Sequence, residues 1–355
     1  MFGSLATASS ICGAGGWLQP VRAQSLASAV DRIGLLLPKS SGAFGRASAA
    51  LRAGIEAGYR RDGRGLAIDI YEIDETPQSL VAAYRGMLER STALVLGPLT
   101  RSGATALLEV GDVPITTIAL NQIDGDGAVP WNVIIFTLAV EQEAMQIADT
   151  AFQAARQRLL DARPPRASIV TATTMVGKRA AGMFYERWRS LGGSAELPIE
   201  LEESALYKFR TAIKREEGDL YFLSMAPQLA RPVRIIVGRS LPVYGTSLLS
   251  TGSAVTQTRA PELDGVRFVE MPAVIDPNYA ASLGYPWVPP DFTLEMQRLY
   301  ALGIDAFRVA RAMFSGRSSF DIDGLTGKLR YDGAQPRVER LASLAEYRDG
   351  APVVL

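Results

Sequence analysis

Gly97-Pro98-Leu99-Thr100 stands where a short apolar run, 93–96, gives way to a predicted helix over 101–108. The first N–H groups of a helix lack partners within it, and its dipole favours negative charge there. Such a turn can hold a carboxylate or another anion. Thr100, or Ser102 behind it, can either cap the helix or hold that ligand. Ser40, Ser41 and Gly42 occupy the equivalent place after the run 33–38, and Asn121 follows the run 114–119. Thr173 and Thr174 follow the run 166–171 in the same way. Together with Gly97, Pro98 and Thr100 they are the candidate lining of a ligand cleft. None of them is an acid or a base at neutral pH. Asp124-Gly125-Asp126-Gly127 opens like a calcium loop, but Ala128 replaces an oxygen ligand and Ile135 holds the twelfth position, where glutamate belongs. It reads as a turn, and Asp321 and Asp323 before Gly324 read as loop carboxylates. No Gly-x-Gly-x-x-Gly and no phosphate loop ending in Gly-Lys-Ser/Thr occurs.

Composition narrows the chemistry further. The 355 residues contain no histidine and one cysteine, Cys12. This excludes Ser-His-Asp and Cys-His catalysis and zinc sites built on imidazole or thiolate. The usual neutral-pH proton shuttle is absent too. No constellation supports an enzyme, and no cofactor or metal site is expected. Lys plus Arg (37) equals Asp plus Glu (37), so the basic surplus that neutralises phosphates is missing and nucleic acid is not an expected partner.

The elements that must position the candidate residues form a repeating unit. Runs at 33–38, 67–71, 93–96, 166–171 and 219–223 are each followed by amphipathic sequence. This alternation predicts α/β architecture: two doubly wound lobes of parallel sheet covered on both faces. Ligands of such sheets lie at the strand-to-helix edge. Predicted helices bury Leu51, Ile55 and Tyr59 in 46–61, and Leu80, Tyr84 and Leu88 in 77–90, with Thr76 as cap and Pro77 at the first position. Further helices are predicted over 141–160, 176–191, 292–302 and 305–314, with strands at 328–332 and 338–347 ending the chain. Three connections, near 138–140, 271–273 and 324–327, would join the lobes. This gives lobe 1 as 31–138 plus 272–325 and lobe 2 as 139–271 plus 326–355. The arrangement resembles clamshells that close on a central cleft.

Residues 1–23 read as a secretory leader. They are rich in Ala, Ser and Gly, and Val21-Arg22-Ala23 places small residues for cleavage before Gln24. Cleavage would remove Cys12, which suits an oxidising periplasm without requiring a disulfide. Ser9 and Ile11 make a poor lipobox around Cys12, so a lipid anchor is not expected. No later run approaches the ~20 apolar residues of a transmembrane helix.

Several segments carry a family resemblance. Residues 33–38, Gly97-Pro98-Leu99, 118–121 and 141–144 resemble the type I periplasmic-binding-protein fold. The segments LPVYGTS (241–247), LDGVRFVEMP (263–272), ALGIDAF (301–307) and DGLTGKL (323–329) resemble the penicillin-binding protein activator (LpoA-type) family. The resemblance spans about 31–350. It implies a non-enzymatic periplasmic regulator, associated with the outer membrane, whose partner is a penicillin-binding protein of the bifunctional, peptidoglycan-synthesising class. Longer members carry an N-terminal domain of helical repeats, and none is expected here. The competing reading is the solute-binding subunit of a transporter for an amino acid or small peptide. In such proteins hydroxyls hold the ligand carboxylate and an acid from the other lobe holds its amine. Thr100 is in reach, but 119–121 offers no hydroxyl and 171–174 no acid. The expected cleft therefore has no charge partner for an ammonium, whose unpaired burial costs several kcal/mol.

Overall fold

Strand β1 (Asp31–Pro38) is buried over its last six residues, the pattern of a strand covered on both faces. The computed structural model describes residues 31–355 except 75, 112, 126, 160–162, 203, 205, 207–208, 210–217, 253–258 and 287. The expected leader, with Cys12, lies outside the described residues. Strand β1 runs between β2 (Leu66–Ile73) and β3 (Thr92–Leu96), followed by β4 (Thr117–Ala119) and β5 (Val133–Ile135). All are parallel, in the order β2-β1-β3-β4-β5. Helices α1 (Gly45–Asp62), α2 (Pro77–Glu89) and α3 (Arg101–Val110) connect the first strands. In α2, Thr76 caps the helix by accepting the Ser79 N–H at 3.2 Å, and Leu80 and Tyr84 are buried as expected. Leu88 is half exposed, and Met87 completes the stripe instead. With 3.6 residues per turn, a stripe stepping strictly by four drifts off the buried face.

Helix α4 (Val140–Arg158) leads into a second sheet built around β6 (Arg166–Ala172). Strands β7 (Ser194–Ala195) and β8 (Ile199–Leu201) pair with one side of β6. On the other side follow β9 (Leu220–Ser224), β10 (Val243–Gly245) and β11 (Val266–Glu270), all parallel. Antiparallel β15 (Ser343–Arg348) and β16 (Ala351–Val354) complete that edge. The order around β6 repeats the order around β1, and each reversal point is where an open α/β sheet places its ligand crevice. Helices α5 (Met175–Ser190) and α6 (Pro227–Val237) follow β6 and β9.

Two expectations are corrected between β11 and β15. After the short helices α7 (Pro272–Ile275) and α8 (Tyr279–Ser282), the two expected helices 292–302 and 305–314 form one, α9 (Leu294–Phe314). It crosses α1 so closely that a Cβ on Gly303 would sit 2.2 Å from the Leu51 carbonyl oxygen, and one on Gly54 2.0 Å from that of Tyr300. Glycine at both positions lets the backbones touch, and this contact offsets glycine's cost in a helix. The expected terminal strands also divide. Strands β12 (Phe320–Asp323), β13 (Lys328–Tyr331) and β14 (Glu339–Leu341) form a small antiparallel sheet. Its Phe320, Leu329 and the adjoining Val338 join the first sheet's core with Ile33 and Leu35. Residues 324–327 are therefore a hairpin turn, closed by Gly324 N–H donating to the Gly327 carbonyl at 2.8 Å. The third passage between the sheets runs instead through Ala342, between β14 and β15.

Candidate functional site at the cleft

The C-terminal edge of the first sheet, the start of α4 and the start of α5 enclose a cavity of about 310 Å³. Its charged lining is Arg101, Glu141 and Arg179. Glu141 lies in the first turn of α4, where the helix dipole favours its charge. Its Oε1 accepts from Arg179 Nε at 2.9 Å and from Arg101 Nη2 at 3.2 Å. Arg101 Nε also lies 3.4 Å from Asp124 Oδ2, so Asp124 serves an ion pair. Asp126 lies outside the described residues. Among the described residues, no group of His, Cys, Asp or Glu could hold a metal ion.

Of the candidate lining, Asn121 alone reaches this cavity. Its Nδ2 donates to the Leu99 carbonyl at 2.9 Å, and its Oδ1 accepts the Gln122 N–H at 2.9 Å, so it holds the loop as well as facing the space. Thr100 is buried and accepts the Gly103 N–H at 3.2 Å as cap of α3. Gly97 and Pro98 lie buried beneath. Gly97 has φ +115°, and a Cβ there would meet the Leu36 carbonyl oxygen at 2.2 Å. It is glycine because β1 and β3 approach so closely. Thr174 caps α5 through the Gly177 N–H at 3.2 Å. Thr173, Ser40, Ser41 and Gly42 are exposed and do not line the cavity.

The expectation of a cleft without charge is thus corrected. The charges are present, and they satisfy one another. An entering ammonium would compete with two guanidinium groups for Glu141, and an entering carboxylate would meet Glu141 itself. Sequence reading missed these residues because 40 positions separate Arg101 from Glu141. The one available signal was an acid in the first turn of a helix directly after a strand.

Behind the cleft, the three passages between the sheets are tied by buried charge. Arg340 Nη2 donates to Glu143 Oε1 at 2.7 Å, and Arg340 Nη1 to the Thr326 carbonyl at 3.2 Å. Glu143 Oε2 accepts the Ser247 N–H at 3.0 Å, while the Ser247 carbonyl accepts from Arg298 Nη2 at 2.8 Å. Arg298 in turn pairs with Glu270 at 2.5 Å, and Glu270 Oε1 takes the Met271 N–H at 2.9 Å. Burial opposes the charge on Arg298, but Glu270, Glu143 and Glu295 together hold the guanidinium above its ordinary range. Asp305, fully buried, accepts the N–H groups of Leu325 (3.0 Å) and Thr326 (2.8 Å) and the Thr326 hydroxyl (2.7 Å). Burial pushes its carboxyl upward, against the pull of Arg308 and these donors. Gln146 grips Ala342 through both its N–H (3.1 Å) and its carbonyl (2.8 Å).

Ser247, Glu270, Asp305 and Thr326 come from the four segments that carry the sequence resemblance. Those segments converge on this network. A family model described as "LppC putative lipoprotein" matches residues 24–204 and 208–350. The chain belongs to the LppC family. Its relatives include proteins named penicillin-binding protein activator LpoA. That of Photobacterium profundum is 23% identical over 337 residues, covering 85% of this chain and 54% of the relative. That of Haemophilus ducreyi is 28% identical over 275 residues, covering 74% and 45%. The chain spans about half the length of these LppC relatives. Among solved structures, the C-domain of Haemophilus influenzae LpoA, described as a regulator of PBP1A, superposes with a TM-score of 0.71 at 21% identity, covering 92% of this chain and all of that one. A chain assigned to a branched-chain amino acid ABC transporter of Chromobacterium violaceum gives 0.70 at 29% identity, covering 89% of this chain and all of that one. The LppC fold is therefore the type I periplasmic-binding-protein architecture. Among the described residues, no helix is long and apolar enough to cross a membrane.

Proposed function

We propose that this LppC-family chain is a non-enzymatic activator of a penicillin-binding protein, acting in the periplasm at the outer membrane. It would bind a bifunctional peptidoglycan synthase and raise its activity by contact. The observation that carries this reading is the cleft, where among the described residues the one lining carboxylate, Glu141, is already shared by Arg101 and Arg179. The relatives' shared name, penicillin-binding protein activator, supplies the partner class, and the family's lipoprotein description supports the location. The two-lobe division belongs to the same proposal, with β13 and β14 counted with the first sheet they pack against. The nine residues first placed at the cleft reduce to Asn121 as a proposed lining residue.

Chemical cross-linking in envelope extract, followed by pull-down and mass spectrometry, tests the partner. A penicillin-binding protein is the expected capture, and the purified pair should synthesise glycan faster than the synthase alone. Capture of none, with no change in synthase rate, overturns the proposal. The alternative, a solute-binding subunit, is favoured by the cavity of about 310 Å³ and by the transporter neighbour. Calorimetric titration with free amino acids separates the two: micromolar binding supports transport, and its absence supports the activator.

A further inference from the structure

A second cavity, of about 380 Å³, opens at the N-terminal edge of the second sheet, the opposite edge of that sheet from Thr173 and Thr174. Arg158, Arg234, Arg239 and Arg267 line it, against one carboxylate, Asp264. Arg267 is neutralised by Glu346 at 2.9 Å. Among the described residues, the other three bond to backbone carbonyls: Arg158 to Asp219, Arg234 to Gly238 and Asp264, Arg239 to Pro261. Among the described residues, no carboxylate forms an ion pair with Arg234 or Arg239, Arg158 meets only the more distant charge of Asp219, which Arg163 holds, and Asp264 Oδ1 is taken by the Gly350 N–H at 2.8 Å. Arg234 is 95% buried by its 5% exposure, and its Nε–H has no partner.

A buried guanidinium ordinarily pairs with an anion, because desolvation without compensation is costly. Burial and the neighbouring charge of Arg239 both hold the pKa of Arg234 below its ordinary range. Two like charges facing one cavity call for an anion between them. A carboxylate carries one negative charge, whereas a phosphate monoester carries about 1.5 to 2 at neutral pH and offers three acceptor oxygens. Arginine's planar fork matches that geometry in two-point contact. We propose that this cavity binds a phosphate group, free or at the end of a small ester, held by Arg234 and Arg239 with Arg158 at its mouth.

The test is calorimetric titration of the full chain with inorganic phosphate and with glycerol 3-phosphate, at constant ionic strength made up with chloride. Saturable binding of at least one is expected, and whichever binds tighter identifies a free anion or an ester as the natural form. Arg239→Ala and Arg158→Ala change exposed residues, and each should weaken binding about tenfold, the loss of one charge-assisted hydrogen bond. Arg189→Ala, on α5, should leave it unchanged. Circular dichroism melting checks that each variant folds. Absence of saturable heat with both ligands overturns the proposal, as does binding that survives both cavity substitutions.

Discussion

The two sets of ion pairs beside the cleft are only a few residues apart, yet they occupy different physical settings. Glu143 and Arg340 have side chains 3% and 1% exposed, and every oxygen of that carboxylate has a donor. Glu141, two residues earlier, pairs with Arg179, whose side chain is 38% exposed. In the first case water has left and the partners must stay together. In the second, water reaches the arginine end of the pair while Glu141 is partly covered. Buried pairs are costly to break singly, and exposed ones contribute little. The inner network therefore fixes the passages between the sheets, while the outer pair leaves the cleft surface adjustable.

The sharpest way to break this contrast is Arg340→Met. It strands Glu143 without its cation and should cost about 3–5 kcal/mol, read as a fall in the urea midpoint. Replacing Glu143 and Arg340 together with apolar residues should restore much of that loss, since the charge no longer lacks a partner. Asp305→Asn comes next. Its amide keeps one acceptor and turns a donor toward the N–H group of either Leu325 or Thr326, with an expected loss of about 1–3 kcal/mol. Glu141→Gln should change the midpoint by less than about 1 kcal/mol. It should also release Arg179, while Arg101 keeps Asp124, so that the cleft takes up acetate, measurable by calorimetry, which the native cleft should not do.

The smallest effect is the response to acid. Hydrogen bonds from Arg163 hold the Asp219 carboxyl low against opposing burial, and those from Arg267 do the same for Glu346. The unfolded chain then takes up protons first as pH falls. Their stabilisation is complete above the ordinary carboxylate range of about 4 and drains away below it. Melting temperature should drop between about pH 5 and pH 3, and Asp219→Asn should flatten that slope.

Much of the framework was legible because each buried strand is a short apolar run and each helix shows its inner stripe. The cap at Thr76 and the first-position Pro77 are local chemistry and were read directly. Thr100 and Thr174 illustrate a limit: a hydroxyl before a helix has the same spacing whether it caps the helix or awaits a ligand, and here it caps. Arg101, Glu141 and Arg179 were invisible for another reason, since only tertiary topology brings them together. At 324–327 the sequence does not separate a passage from a hairpin, since two glycines suit a linker and a tight turn equally. Asp305, twenty residues from Leu325, decides for the turn.

The touching backbones of α1 and α9 at Gly54 and Gly303 have a mechanical consequence. Helix α9 also supplies Arg298 and Asp305 to the buried network, so it acts as an axle seated directly on the first sheet's leading helix. Both helices belong to the first sheet's half, so that half moves as one body, peptide against peptide with no side chain between to yield. A macromolecule docking on this half meets a preset contour and forfeits little of its binding energy to rearranging it.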